Sequence, residues 1–328
     1  MQRNDKMKEP KAIIAIPFKE MNDDVRACIK YCLELNYKNY ELVLLPDKKI
    51  KGSFPKTKVV PTGPIVPALK RDKLLDIDYD LFASIDSDAY PDKDWLSNAA
   101  KIFKDKRVAA VGGPNLPPKN ASLLEKAAID VIYSRLGLAV GYYVKNYKKN
   151  SYECKELASS NLILRKSDLV KVKGYHTKFL TGEDTILGFK LRNLGKKIIH
   201  SEDVKVYHHR RPLFWPHLSR IFKQASDKVL ILLKYKGLGG MIYFVPALFV
   251  LFLVFGLIIS AFNIYALLVY GFIIAFYSLL VVLESLNLNS LKRMILFWLG
   301  LPLTHIFYGL GFLHGLIFRM KELKDMSS

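Results

Sequence analysis

Short apolar runs alternate with amphipathic stretches from Ala12 to Arg211, and long apolar runs dominate the chain beyond Leu238. Ala12–Pro17, stopped by its proline, reads as a buried strand. Within Asp23–Leu35 the apolar residues Val25, Cys28, Ile29, Cys32 and Leu33 recur at helical spacing, and Tyr40–Leu45 is a second strand. Strand, helix and strand at this separation predict a right-handed parallel βαβ unit. Val59-Val60 marks a short third strand, Lys70-Arg71-Asp72 belongs to a helix, and Leu81–Ile85 is a wholly apolar strand. Asp94–Phe103 (helix) and Val108–Val111 (strand) continue the alternation, which predicts an α/β, doubly wound, mostly parallel sheet. Further on, Ser122–Val140 is amphipathic, Leu162-Ile163-Leu164 continues a strand, Thr185–Leu194 is helical, and Lys197–His200 and Val204–His208 are short strands.

The C-terminal pattern is different. No charged residue occurs from Leu238 to Leu283. A membrane span takes ~20 apolar residues, so Gly240–Phe262 and Ile264–Leu283 fit two spans with Asn263 at the turn. A third segment, Met294–Phe318, is interrupted by Gly300, Pro302, Gly309, Gly311 and Gly315. It either crosses, folds back as a hairpin or lies at the interface. Ahead of the spans, Leu213–Lys236 carries one apolar stripe, with Arg220, Lys223, Asp227 and Lys228 lying off it. Such a basic amphipathic helix lies in the membrane interface or packs on the soluble part. The expected divisions are therefore 1–211, 212–238 and 239–328.

Charge sharpens this. Fifty Lys and Arg against 30 Asp and Glu give a formal charge of +20. Zinc-finger spacing and RNA-binding aromatic signatures are absent, so the excess reads as attraction to an anionic leaflet and not as nucleic-acid binding. Three cysteines, Cys28, Cys32 and Cys154, form no metal-ligand set and suit a reducing compartment. Met1–Lys11 lacks the apolar core of a cleavable signal. Lys234, Lys236, Lys292 and Arg293 flank the spans, which predicts a multi-pass cell-membrane protein with its soluble part on the cytoplasmic face. Three full crossings, however, would leave Arg319, Lys321 and Lys324 outside.

The candidate chemistry centres on Asp86-Ser87-Asp88, which closes the apolar strand. Alternation along a strand would send both carboxylates to one side. Paired carboxylates at the carboxyl end of a buried strand suit Mg²⁺ or Mn²⁺ shared with a substrate diphosphate. Asp76-Ile77-Asp78, Asp78-Tyr79-Asp80 and Asp92-Lys93-Asp94 share the spacing but end no apolar strand.

The order of motifs from Ala12 to Arg211 resembles the inverting glycosyltransferases of family 2, with a GT-A fold. The motifs are Ile16-Pro17 with Glu20, Pro46-Asp47, Gly63 followed by Lys70-Arg71, Ile85-Asp86-Ser87-Asp88, Ser160-Asn161, Gly182-Glu183-Asp184 and Val206-Tyr207-His208. The resemblance implies that Pro17, Glu20 and Asp47 line the base and ribose of a nucleotide-sugar donor, with Lys70, Arg71 and Asp86 towards its phosphates. It implies a metal on Asp86, Asp88 and His208, His209 being the alternative to His208. Ser160, Asn161 and Glu183 would face the acceptor, and Asp184 would act as general base. The plainer roles are exposed helix cations for Lys70 and Arg71 and an N-cap for Asp184.

Processive relatives carry Gln-x-x-Arg-Trp near the interface helix, whereas here Gln224 is followed by Ala225-Ser226-Asp227-Lys228. Transfer of a single sugar, with UDP as the expected nucleotide, to a lipid-linked acceptor in surface polysaccharide assembly is the leading expectation. A polyprenyl-phosphate glycosyltransferase similar to dolichyl-phosphate mannose synthases is one alternative, and a non-catalytic membrane scaffold is another.

Overall fold

The computed structural model describes residues 9–50, 52, 54–137 and 150–325. The last part of the helix expected over Ser122–Val140 lies outside them. The strands are β1 (Ala12–Pro17), β2 (Tyr40–Leu45), β3 (Thr57–Val59), β4 (Leu81–Ile85), β5 (Ala89–Pro91), β6 (Val108–Gly112), β7 (Asn115–Leu116), β8 (Ser151–Glu153), β9 (Asn161–Arg165), β10 (Lys197–Ser201) and β11 (Val206–His208). The helices are α1 (Asp23–Leu33), α2 (Pro67–Asp72), α3 (Trp95–Ile102), α4 (Leu123–Tyr133), α5 (Lys166–Lys171), α6 (Glu183–Asn193), α7 (Trp215–Lys234), α8 (Val245–Ser260), α9 (Ile264–Ser285) and α10 (Leu291–Phe318).

The chain divides into two units, Met1–Pro118 with Lys145–His208, and Lys119–Val144 with His209–Ser328. In this grouping the α4 segment falls with the C-terminal helices.

In the first unit an eight-stranded sheet has the order β3-β2-β1-β4-β9-β6-β10-β8. The pairs β3–β2, β2–β1, β1–β4 and β6–β10 are parallel. β9, however, lies antiparallel between β4 and β6, and β8 is antiparallel to β10. Strand direction is set by where the connections run, so hydrophobic runs alone could not reveal it. Alternation along β1 sends Ala12, Ile14 and Ile16 to one face and Ile13 and Ala15 to the other. The first face packs against α1 through Val25, Cys28, Ile29 and Cys32, and against α3 through Trp95, Leu96 and Ala99. The second packs against Ala68 of α2, Leu169 of α5 and Leu187 and Leu191 of α6. A separate small sheet, β5-β11-β7, stands at the carboxyl end of β4.

In the second unit, α4 starts with a capping box formed by Ser122 and Glu125. Met241–Ser260, Ile264–Ser285 and Leu291–Phe318 are long and apolar enough to cross a membrane. Asn263 ends the first apolar run because its side-chain oxygen accepts from the amides of Tyr265 (2.9 Å) and Ala266 (3.1 Å), capping α9. α10 is one continuous helix with Pro302 inside it, not a helical hairpin. α7 packs on α10, and Asp227, expected off the apolar stripe, is buried there on Arg319 at 2.7 Å.

Candidate active site

β4 ends at Ile85, and the Asp86 carbonyl accepts from the Ala89 amide at 3.0 Å, closing a tight turn into β5. This turn, and not alternation along a strand, gathers the two carboxylates. β11 lies antiparallel to β5 with His208 opposite Ala89. That register sets His208 Nε2 3.1 Å from Asp88 Oδ1. One ligand atom from each of Asp86, Asp88 and His208 falls within 4.8 Å of the others. Two carboxylate oxygens and an imidazole nitrogen suit Mn²⁺ or Mg²⁺. His209 is engaged elsewhere, with Nδ1 2.9 Å from Glu125.

Arg71 joins this cluster to the next motif. Its side chain is 1% exposed, which rules out the plainer alternative of an exposed helix cation. Nη2 donates to Asp86 Oδ1 at 2.8 Å, Nη1 lies 3.7 Å from Glu183 Oε1, and the guanidinium sits 5.7 Å from the Tyr175 ring centre. Burial alone would weaken its hold on the proton, but Tyr175, Asp86 and Glu183 more than offset that, so it stays charged. Nε and Nη1 are buried without a hydrogen-bond partner. Unused guanidinium donors beside a carboxylate–imidazole cluster match a phosphate ligand.

Gly182 has φ +83°, a left-handed conformation that favours glycine, and turns the chain into α6. Gly182 is the N-cap, so Asp184 is not, and its Oδ1 accepts from the Thr185 amide at 2.8 Å. Glu183 and Asp184 occupy the first turn, where the helix dipole favours negative charge.

Residues 81–308 match the family described as glycosyl transferase family group 2. This chain belongs to that family.

The fold agrees. A mannosyltransferase from Pyrobaculum calidifontis, solved with GDP-mannose and Mn²⁺, aligns over 95% of this chain and 88% of its own, with a TM-score of 0.59 at 14% identity. GalNAc-T7, solved with UDP, GalNAc and Mn²⁺, aligns over 73% of this chain and 50% of its own, with a TM-score of 0.53 at 13% identity. No curated protein matches in sequence. The molecule is a family 2 glycosyltransferase with a GT-A domain and apolar C-terminal helices.

Within the transferase, Lys70 is 3% exposed and ties the ends of two strands together. Its Nζ donates to the carbonyls of Phe18 (2.7 Å) and Leu45 (3.2 Å) and to the Asp47 carboxylate. The Gly63 amide donates to the Asp47 carbonyl at 3.2 Å, closing the loop over it. Pro17 is buried at the end of β1, and Glu20 is exposed nearby.

The acceptor role expected for Asn161 does not fit its surroundings. Its side-chain oxygen accepts from Trp95 Nε1 at 2.7 Å, and its nitrogen donates to the carbonyls of Val204 (2.8 Å) and Pro114 (3.2 Å). At 1% exposure it is a structural bridge, and Ser160 beside it is buried too. Two residues of the transferase's site escaped the sequence reading. The Asp72 carboxylate accepts from the amides of Tyr175 (2.8 Å) and His176 (2.7 Å), which lays Tyr175 over Arg71. Burial raises the Asp72 carboxyl, and those two amides pull it back. Nothing local marks Asp72, because its partners lie a hundred residues along the chain.

Proposed function

We propose that this glycosyltransferase moves one sugar from a nucleoside diphosphate donor, UDP-linked by expectation, to a lipid-linked acceptor hydroxyl at the membrane, with inversion at the anomeric carbon. The observation that carries the reading is the Asp86–Arg71–Glu183 connection, which links a metal-type cluster to an acidic helix start. Asp86, Asp88 and His208 would hold Mg²⁺ or Mn²⁺, which supplies Lewis-acid stabilisation of charge on the departing diphosphate.

Arg71 offers its unused donors to a phosphate oxygen in a site where burial strengthens the attraction. Pro17, Glu20, Asp47 and Lys70 line the nucleoside end. Asp184 takes the proton of the acceptor hydroxyl as its oxygen bonds the anomeric carbon. The bond from that carbon to the phosphate oxygen breaks, and its electron pair leaves with the nucleoside diphosphate. Attack from the face opposite the leaving group inverts the centre. Glu183 belongs to the acceptor side. The basic residues flanking the spans favour a cytoplasmic site, and the missing Arg-Trp after Gln224 favours single transfer over polymerisation.

The test is transfer by purified protein from UDP- and GDP-sugars, with Mn²⁺, to a polyprenyl-linked acceptor. Transfer that is lost in Asp88→Asn and in Asp184→Asn supports the assignment; transfer unchanged in both overturns it.

A further inference from the structure

The three long apolar helices of the second unit differ in their neighbours. α8 and α9 form an antiparallel hairpin: Gly256 faces the Tyr270 ring, Phe252 stacks on Tyr270 at 5.1 Å, and Phe249 meets Tyr277 at 5.0 Å. Exposed Leu, Ile, Val and Phe cover both helices, as acyl chains would require. α10 meets this hairpin crosswise. Its Gly309 lies against Pro246 and Val250, its Phe312 packs on Phe244 at 4.9 Å, and its His305 is bonded to Tyr277 at 2.8 Å. All four partners lie in the half of the hairpin away from the turn at Asn263.

The remainder of α10 follows α7. Gly300 lies against Leu213, His217 Nε2 is 3.0 Å from Thr304 Oγ1, and Gly311 abuts the backbone of Phe222. Ser226 Oγ is then 3.2 Å from His314 Nδ1, and Arg319 holds Asp227 at 2.7 Å. The two helices therefore run in the same direction, side by side, from Thr304 to Arg319. At ~1.5 Å per residue the 20-residue α7 is about 30 Å long, close to the ~30 Å of a hydrocarbon core. If α10 crossed the bilayer it would draw α7 through with it. α7 carries Arg220, Lys223, Asp227 and Lys228, and each charge at mid-membrane costs at least about 2.5–3.5 kcal/mol.

We propose that α10 lies in the membrane interface beside α7, and that the chain crosses the bilayer twice, through α8 and α9. The exposed Ile295, Trp298, Leu299, Leu310 and Ile317 of α10 then rest at the boundary between headgroups and acyl chains. Lys223 and Lys321, both exposed, face anionic headgroups. The C-terminal end returns to the side on which α7 lies, which removes the conflict posed by Arg319 and Lys321.

Protease protection of epitope tags at the two chain termini, in sealed vesicles of known orientation, tests this on the unsubstituted sequence. Both tags should be cleaved, or both protected, in each vesicle orientation. A second readout uses a chain lacking its three cysteines and an impermeant maleimide. Lys223→Cys and Lys321→Cys should label from one side and Phe262→Cys from the other. Tags on opposite sides, or Lys321→Cys labelling together with Phe262→Cys, would overturn the proposal.

Discussion

Arg71 Nη2 donates to Asp86 Oδ1 at 2.8 Å while the rest of the guanidinium is sealed from water. A guanidinium fixed in this way holds the Asp86 carboxylate in place and sets its positive charge beside the candidate cation site, where a phosphate would bind. Replacing it with glutamine should lower the transfer rate by about 10²–10³-fold. Arg71→Lys should recover little of the loss, since a single ammonium cannot serve Asp86, Glu183 and a phosphate together. Steady-state kinetics with a saturating acceptor would read both.

The contact between His208 and Asp88 at 3.1 Å puts the imidazole in the group that could hold a cation. Titration of free Mn²⁺ by paramagnetic resonance should show affinity at least about 10-fold weaker in His208→Gln. Equal affinity in His208→Gln and the unsubstituted protein would remove His208 from the site. His209→Gln should leave Mn²⁺ binding unaltered, because that ring is held by Glu125.

Asp184 and Asp88 should fail in different ways. Asp184→Asn should keep donor binding while slowing transfer to a hydroxyl acceptor about 10²–10⁴-fold. Asp88→Asn should weaken donor binding itself. A phosphate acceptor is already ionised, so an enzyme using one would lose little in Asp184→Asn, and a rate comparison decides which acceptor class applies.

His200 gives the fold an acid limit. Its ring stacks on Tyr152 at 4.8 Å, is 5% exposed, and has Nδ1 without a hydrogen-bond partner. Burial holds its pKa down to about 4. The unfolded chain binds the proton near ~6.5, so stability is complete above that pH. It declines as pH falls from there to about 4, and the contribution lost is about 3 kcal/mol. Thermal unfolding at pH 7 and 4.5 should show a smaller drop in His200→Gln than in the unsubstituted protein.

Gly311 lies where α7 and α10 touch most closely. A Cβ there would come within 2.2 Å of the Phe222 carbonyl oxygen, which as backbone cannot rotate away. Gly311→Leu should cost about 1–3 kcal/mol of stability. Gly271→Leu, which meets nothing within 4 Å, should cost far less in the same detergent melt.

What the sequence disclosed follows from how local each signal is. The strand β4, the helix α1 and the long apolar helix α9 are written in contiguous apolar spacing, and their limits were readable within a few residues. Asp86 and Asp88 stood out because a hydrophobic run ends on them. The burial of Lys70 and Arg71 was hidden, since the spacing of α2 says nothing about the carboxylates of Asp47, Asp86 and Glu183 that surround it. Asn161 misled for the same reason: a small polar residue at a strand start looks available until Trp95, Pro114 and Val204 occupy it. The reversal of β9 and the fixing of Tyr175 by Asp72 depend on chain paths that no short window contains.

The three-residue strand β11 has a consequence for how this enzyme can vary. Because neighbouring side chains on a strand point to opposite faces, slipping β11 along β5 by a single step would exchange the ring of Tyr207 for that of His208. Insertions or deletions between Ser201 and Lys205 should thus disturb the candidate cation site although none of those residues belongs to it, and natural length changes there should be compensated or absent.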